Sequence, residues 1–185
     1  IKNNQAERVK IISYITPSTN HFFRDDIDEE LSKIKKYFPK KINVLIIGCS
    51  TGGEVYSIAY ALKKLDKIYK ILATDINAKA ISFAKRAKYP LDIIKGVDKN
   101  KALELFNKHR VVKNNYSKKV SFKVQDLRRF NSKERYDLIL IRNVLKYFDQ
   151  PIQKALINRV IEHLKSKGII ILGIQKVSNA DVNPM

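Results

Sequence analysis

Cysteine, methionine and tryptophan are nearly missing from this chain, which has one Cys, one Met and no Trp in 185 residues. A lone cysteine makes no internal disulfide, so no covalent staple holds the fold and a reducing cytoplasm is the expected compartment. Cys49 itself reads as a small buried residue in a turn. Glycine and proline are scarce at 6 and 5, which excludes collagen-like and low-complexity classes. No apolar run approaches the roughly 18 residues that cross a bilayer, and no signal-peptide pattern opens the chain, so membrane insertion is not expected. The three histidines, His21, His109 and His163, have no metal-ligand spacing, and no metal is expected.

Acidic residues are also in deficit, 18 Asp and Glu against 37 Lys and Arg, for a net charge of +19. Coding bias toward lysine, an acidic protein partner, or nucleic acid would each account for it. The lysines are scattered in pairs such as Lys35-Lys36, Lys63-Lys64 and Lys118-Lys119, and this scatter does not choose among the three. What is present in quantity is apolar side chain, 44% of residues, enough for one domain with a real core.

The chain is organised around Asn43-Val44-Leu45-Ile46-Ile47-Gly48-Cys49-Ser50-Thr51-Gly52-Gly53-Glu54, an apolar strand passing through a turn of small residues. Ile58, Ala59, Leu62 and Leu65 then recur at helical spacing. Strand, Gly-rich turn and helix are how doubly wound α/β proteins build a nucleotide-type site, although the same turn also serves as a tight connection. Tyr69 to Ala73 is a second strand, delivering Asp75 27 residues beyond Gly48, where such folds place a ribose acceptor. Asp75 or Asn77 would equally cap the next helix, Ala78 to Lys88; Asn77 as the cap leaves Asp75 for a ligand.

Further strands are expected at Val120–Val124, Tyr136–Ile141 and Ile169–Leu172, the first ending in Gln125-Asp126-Leu127 and the second in Arg142-Asn143. One helix is expected from Asp25 or Asp26 with Ile27, Leu31, Ile34 and Phe38 inward. Another starts at Gln150-Pro151, with Ile152, Leu156, Val160 and Leu164 on one face. The predicted fold is a doubly wound, parallel, five-stranded α/β sheet of Rossmann-like type. Residues 1–15 read as a linker to something upstream, with Ile rather than Met at position 1, and residues 16–185 as the domain. Residues 109–124 read as a small β element. Phe22 and Phe23 either staple their loop onto the core with Arg24 solvated, or hold Arg24 for a task.

Charge narrows the ligand. The turn lacks the Lys-Ser/Thr pair of a phosphate-binding loop, and Glu54 at the helix start repels phosphate but welcomes an ammonium or sulfonium. S-adenosylmethionine offers both cations, a ribose for Asp75 and an adenine amine for Asp126.

Four segments together carry a family resemblance: Asn20-His21-Phe22-Phe23-Arg24-Asp25, Gly48 to Ala59, Ala73-Thr74-Asp75-Ile76-Asn77, and Arg142-Asn143-Val144-Leu145-Lys146-Tyr147-Phe148-Asp149. In order and spacing, from about Thr16 to Gly173, they resemble the CheR family of chemotaxis-receptor glutamate methyltransferases. That resemblance implies transfer of a methyl group from S-adenosylmethionine to receptor glutamates, with the acidic, helical cytoplasmic region of receptors as partner. It implies a cofactor site of Asn20, Arg24, Gly48, Glu54, Asp75, Asp126, Leu127, Arg142 and Asn143. Within it Glu54 would take the methionine ammonium, Asp75 the ribose, and Asp126 with Leu127 the adenine. Arg24 and Tyr147 would flank the methyl group and incoming carboxylate as catalytic residues.

The chain departs from the family at Asn20, where Thr is usual, and at Gly53, Val55 and Asp126, where an acid, Pro and Asn are usual. It also has Gly173-Ile174-Gln175-Lys176 where the family has Gly-His-Ser-Glu. The family's upstream helical domain and terminal antiparallel strands lie outside these residues, and the β element that docks receptor tails is short, implying tail-independent recognition. A cofactor-binding module without turnover, and a nucleic-acid methyltransferase, are the competing readings. Arg142-Asn143-Val144-Leu145 is not the Asn/Asp-Pro-Pro-aromatic motif of amino-directed enzymes, which counts against nucleic acid.

Overall fold

The computed structural model describes residues 10–15 and 22–174. Apolar runs become strands and the periodic segments between them become helices. The strands are β1 (Lys10–Ile15), β2 (Lys41–Ile47), β3 (Ile68–Asp75), β4 (Val120–Val124), β5 (Tyr136–Ile141) and β6 (Leu164–Ile174). Between them lie α1 (Ile27–Lys33), α2 (Gly53–Lys64), α3 (Ala78–Arg86), α4 (Leu91–Lys95), α5 (Lys99–Leu105), α6 (Asn114–Ser117) and α7 (Gln150–Ile161). The sheet runs β1-β6-β5-β2-β3-β4, every pairing parallel. All five expected strands are present.

Side chains alternate across the sheet with period two, so each central strand feeds two cores. Val44, Ile46, Ile71, Ala73, Leu138 and Leu140 pack with Leu31 of α1, Val55, Ile58 and Leu62 of α2, and Ile81 of α3. Leu45, Ile47, Ile139 and Ile141 pack on the opposite face with Leu127, Phe130, Leu156 and Val160. Each fully buried Leu or Ile contributes about 1.5–3 kcal/mol relative to exposure, and both faces are covered, as parallel sheets require.

Four expectations are corrected. Residues 10–15 are not linker but a sixth strand, in register with Ile169 to Ile174 of β6; its polar surroundings and distant partner hid it. Leu164 belongs to β6 rather than to the face of α7, which ends at Ile161. A register irregularity between the β5 positions Tyr136 and Leu138 lets β6 begin early, with Lys167 in a left-handed conformation. The β element of residues 109–124 is reduced to two isolated antiparallel bridges, Lys88 with Val111 and Phe106 with Val112. Its second half is β4 of the main sheet, reached through α6. Ile152, placed on the inner face of α7, is 45% exposed.

Phe22 and Phe23 are buried. Phe22 meets Tyr89 and Phe106 edge-on at 4.7 and 5.1 Å, and Phe23 meets Tyr60 at 5.1 Å. Phe23 adopts φ of 50°, and its N–H donates to Ser57 Oγ at 2.8 Å. Ser57, fully buried, donates in turn to Gly53 O at 2.9 Å. The loop is thus stapled to α2 and Arg24 is delivered to one place. Replacing Ser57 by Ala strands the buried Phe23 N–H and is expected to destabilise the fold by about 1–3 kcal/mol. A urea midpoint equal to that of the unaltered chain would show that the aromatic staple alone holds the loop.

Candidate active site

The order of the sheet reverses about β2. The chain leaves β2 for β3 and β4 on one side, then returns to β5 and β6 on the other. A crevice opens at such a switch point, outside the strands' carboxyl ends. Those ends are level, because Ile47 is paired with Thr74 on one side and Ile141 on the other, and Asp75 with Val124. Residues one step beyond therefore surround one space.

That space is a cavity of about 520 Å³, within the roughly 300–1,000 Å³ of small-molecule sites. It is lined by Arg24, Gly48, Glu54, Asp75, Asp126, Leu127, Arg142, Asn143 and Tyr147. These are all the site residues expected from the sequence except Asn20, which lies outside the described residues, as do Gln175 and Lys176. The cavity also holds residues that the sequence reading did not assign to the site: Ile76, Gln125, Arg128, Lys146 and Phe148. Each stands next to a predicted site residue in the chain, and that adjacency was the available signal.

The turn after β2 is tied to the end of β3. Gly48 N and Cys49 N both donate to Thr74 O, at 2.8 and 3.0 Å, and Ser50 N donates to Asp75 Oδ2 at 2.7 Å. Asp75 Oδ1 accepts from Asn77 N at 2.8 Å. Asn77 caps α3 through Lys79 N and Ala80 N, so the cap and the site acid are separate residues. Each Asp75 oxygen keeps acceptor capacity toward the cavity. Gly48 has φ of 74°, and a Cβ there would collide with Val144 Cγ2; glycine lets the end of β5 close against the turn. Burial pushes the Cys49 thiol well above its ordinary pKa, so it stays protonated and is no nucleophile.

At the other end of the cavity Glu54, in the first turn of α2, accepts a short hydrogen bond from Arg142 Nη1, and Arg24 Nη2 lies 3.9 Å from the same oxygen. The Arg142 side chain is 1% exposed and those of Glu54 and Arg24 12%, so these charges act with little solvent screening. Two guanidinium groups and one carboxylate leave a net positive charge. Glu54 is therefore not a bare anion awaiting an ammonium, as its position in the sequence implies; this end suits a carboxylate and an ammonium together. Asp126 accepts from Arg128 N at 2.9 Å and is gripped by the Arg128 guanidinium, which holds its carboxyl below the ordinary aspartate pKa. Tyr147 is 75% exposed at the mouth, with Lys146 Nζ 5.3 Å from its ring centre.

Comparison with known proteins decides the family. Residues 15–182 match the family described as CheR methyltransferase, SAM binding domain. The chain belongs to the CheR methyltransferase family. It is similar to the chemotaxis protein methyltransferase of Borreliella burgdorferi, 28% identical over 95% of this chain and 70% of the relative. It is also similar to that of Campylobacter jejuni, 27% identical over all of this chain and 71% of the relative. Among solved structures, the glycopeptide N-methyltransferase MtfA complexed with sinefungin superposes with a TM-score of 0.58. It is 12% identical over 97% of this chain and 61% of its own. A SAM-bound amino pentose methyltransferase from Micromonospora echinaspora gives 0.54 at 13% identity, over 84% of this chain and 50% of its own. These two likenesses show a shared Rossmann-like methyltransferase fold. No helix among the described residues of this CheR domain is long and apolar enough to cross a membrane.

The Arg142 to Glu54 pair yields a stability test. Arg142→Met removes one partner of a buried ion pair and is expected to cost about 3 kcal/mol, read as a lowered urea midpoint at unchanged slope. Adding Glu54→Gln should recover part of that loss; a double variant no better than the single one would deny the pair its role.

Proposed function

We propose that this CheR domain methylates glutamate side chains of chemotaxis receptors, forming γ-glutamyl methyl esters, with S-adenosylmethionine as donor. The observation that carries the reading is the gathering of acids and arginines from the separate strand ends β2, β3, β4 and β5 around one cavity. The residues fit the donor. Glu54 with Arg24 and Arg142 matches a zwitterionic methionine end, an ammonium toward the carboxylate and a carboxylate toward the guanidinium groups. Asp75, pinned by two backbone N–H groups, accepts from the ribose hydroxyls. Ile76, 63% exposed, and Leu127 supply apolar surface for the adenine.

S-adenosylmethionine would supply, when bound, a sulfonium methyl open to attack by a carboxylate oxygen, the O–C bond forming as the C–S bond breaks and its electron pair passing to sulfur, to give a methyl ester and S-adenosylhomocysteine. The chain's residues have no proton to move, because a glutamate of pKa about 4.3 is already the anion at neutral pH. Arg24 and Tyr147 orient the incoming carboxylate and exclude water, so catalysis rests on alignment for in-line attack. Lys146 at the cavity mouth adds positive charge that favours an acidic substrate, consistent with the acidic cytoplasmic helical region of receptors. The two isolated bridges left of the β element support recognition that does not use a receptor's tail peptide.

The test is release of volatile labelled methanol when base hydrolyses the methyl esters of acidic receptor fragments incubated with labelled donor. The expected rate is level from about pH 6 to 8 and falls as the substrate glutamate protonates near pH 4 to 5. No volatile product despite S-adenosylhomocysteine binding would favour the module without turnover. Base-stable label on nucleic acid would favour N-methylation. Asp75→Asn weakens charge-assisted bonds to the ribose and should lower S-adenosylhomocysteine affinity about tenfold or more; unchanged affinity in a calorimetric titration would remove Asp75 from the site.

A further inference from the structure

The adenine end of the cavity departs from its sequence reading. Asp126 is expected from the sequence to meet the adenine amine, and an aspartate can accept from it only if it has an oxygen to spare. It has little. Oδ1 accepts from Arg128 N at 2.9 Å and Arg128 Nε at 3.1 Å. Oδ2 accepts from Nε at 2.9 Å and Nη2 at 2.6 Å. A carboxylate offers about four lone-pair sites, and three N–H groups of one neighbouring residue, with Nε–H shared between both oxygens, occupy most of them. An adenine amine would have to displace a charge-assisted bond, among the stronger hydrogen bonds a protein makes.

Arg128 is differently placed. Its grip on Asp126 uses Nε and Nη2 and leaves Nη1 outside the fork. Both residues line the same cavity as Ile76 and Leu127. The guanidinium is planar and weakly hydrated, stacks on aromatic rings, and still has N–H donors for ring nitrogens. Its side chain is 62% exposed, so a ring covering it would desolvate apolar surface on both partners. The turn Leu127–Arg129, a single 3-10 turn started by Asp126, fixes where the fork stands.

We propose that Arg128 is the cofactor-binding residue that meets the adenine ring, and that Asp126 is its positioning residue rather than the adenine's own acceptor. This rests on the S-adenosylmethionine reading of the site. The guanidinium plane covers the ring, while Asp126 stops the flexible side chain from turning out to solvent.

The experiment is a calorimetric titration with S-adenosylhomocysteine, with S-ribosylhomocysteine, which lacks the adenine, as a competing probe. Arg128→Ala should weaken S-adenosylhomocysteine about tenfold, the scale of a base stacked on a side chain, and leave S-ribosylhomocysteine unchanged. Arg128→Lys, which keeps the charge and loses the plane, should stay weak. Asp126→Ala alone should lose nearly as much as Arg128→Ala, and nothing more in the Arg128→Ala background. Three results would overturn the assignment: Arg128→Ala binding like the unaltered chain, equal losses for both probes, or a full further loss from Asp126→Ala in the double variant. If the unaltered chain itself binds no S-adenosylhomocysteine, the cofactor reading of the whole site falls, a result distinguishable from failure at Arg128 alone.

Discussion

The tie between the first crossover and the end of its neighbouring strand governs the site. Two consecutive backbone N–H groups, of Gly48 and Cys49, converge on Thr74 O, and the next, of Ser50, reaches the Asp75 carboxylate. That sequence of bonds forces the chain to turn within three residues, so Gly48 and Ser50 both take positive φ. Backbone strain of this kind persists where surrounding structure over-determines it. Here the packing of Val144 against Gly48 and the buried β2–β3 register do so. Because the turn is fixed to Asp75, that cavity-lining carboxylate and the start of α2 move as one body.

From that fixed point the charges follow. Glu54 enters on the first turn of α2, Arg142 arrives from the end of β5, and Arg24 from the loop that Ser57 ties to α2. None of these three would keep its ionised side chain so far from water alone. Together they make a zwitterion-matched end opposite the apolar surface of Ile76 and Leu127. In the proposed reaction no base is needed, because the glutamate nucleophile is ionised before it arrives, and positioning is what the protein supplies.

Much of this was legible in the sequence because parallel strands buried on both faces read as unbroken apolar runs, and their carboxyl ends are where such folds keep ligand contacts. Gly48, Glu54, Asp75, Asp126 and Arg142 could be placed that way, whereas Tyr147 came from the resemblance of the Arg142 to Asp149 segment to the CheR family. What stayed hidden depends on distance or on side-chain reach. Glu54 and Arg142 are 88 positions apart, so their pairing leaves no local trace. Lys10–Ile15 pairs with a strand at the other end of the chain, and Leu164 satisfies both a helical and a strand pattern. The Arg128 fork on Asp126 exists only because a 3-10 turn folds residue 128 back over residue 126, which no periodicity announces.

If a cationic methyl donor lies across the carboxyl ends of β2 to β5, a crystal structure with S-adenosylhomocysteine will show ribose hydroxyls within hydrogen-bond distance of Asp75 and the amino-acid end between Glu54 and the two arginines. Density for the product anywhere else on the molecule, or that cavity left vacant at saturating ligand, would contradict it.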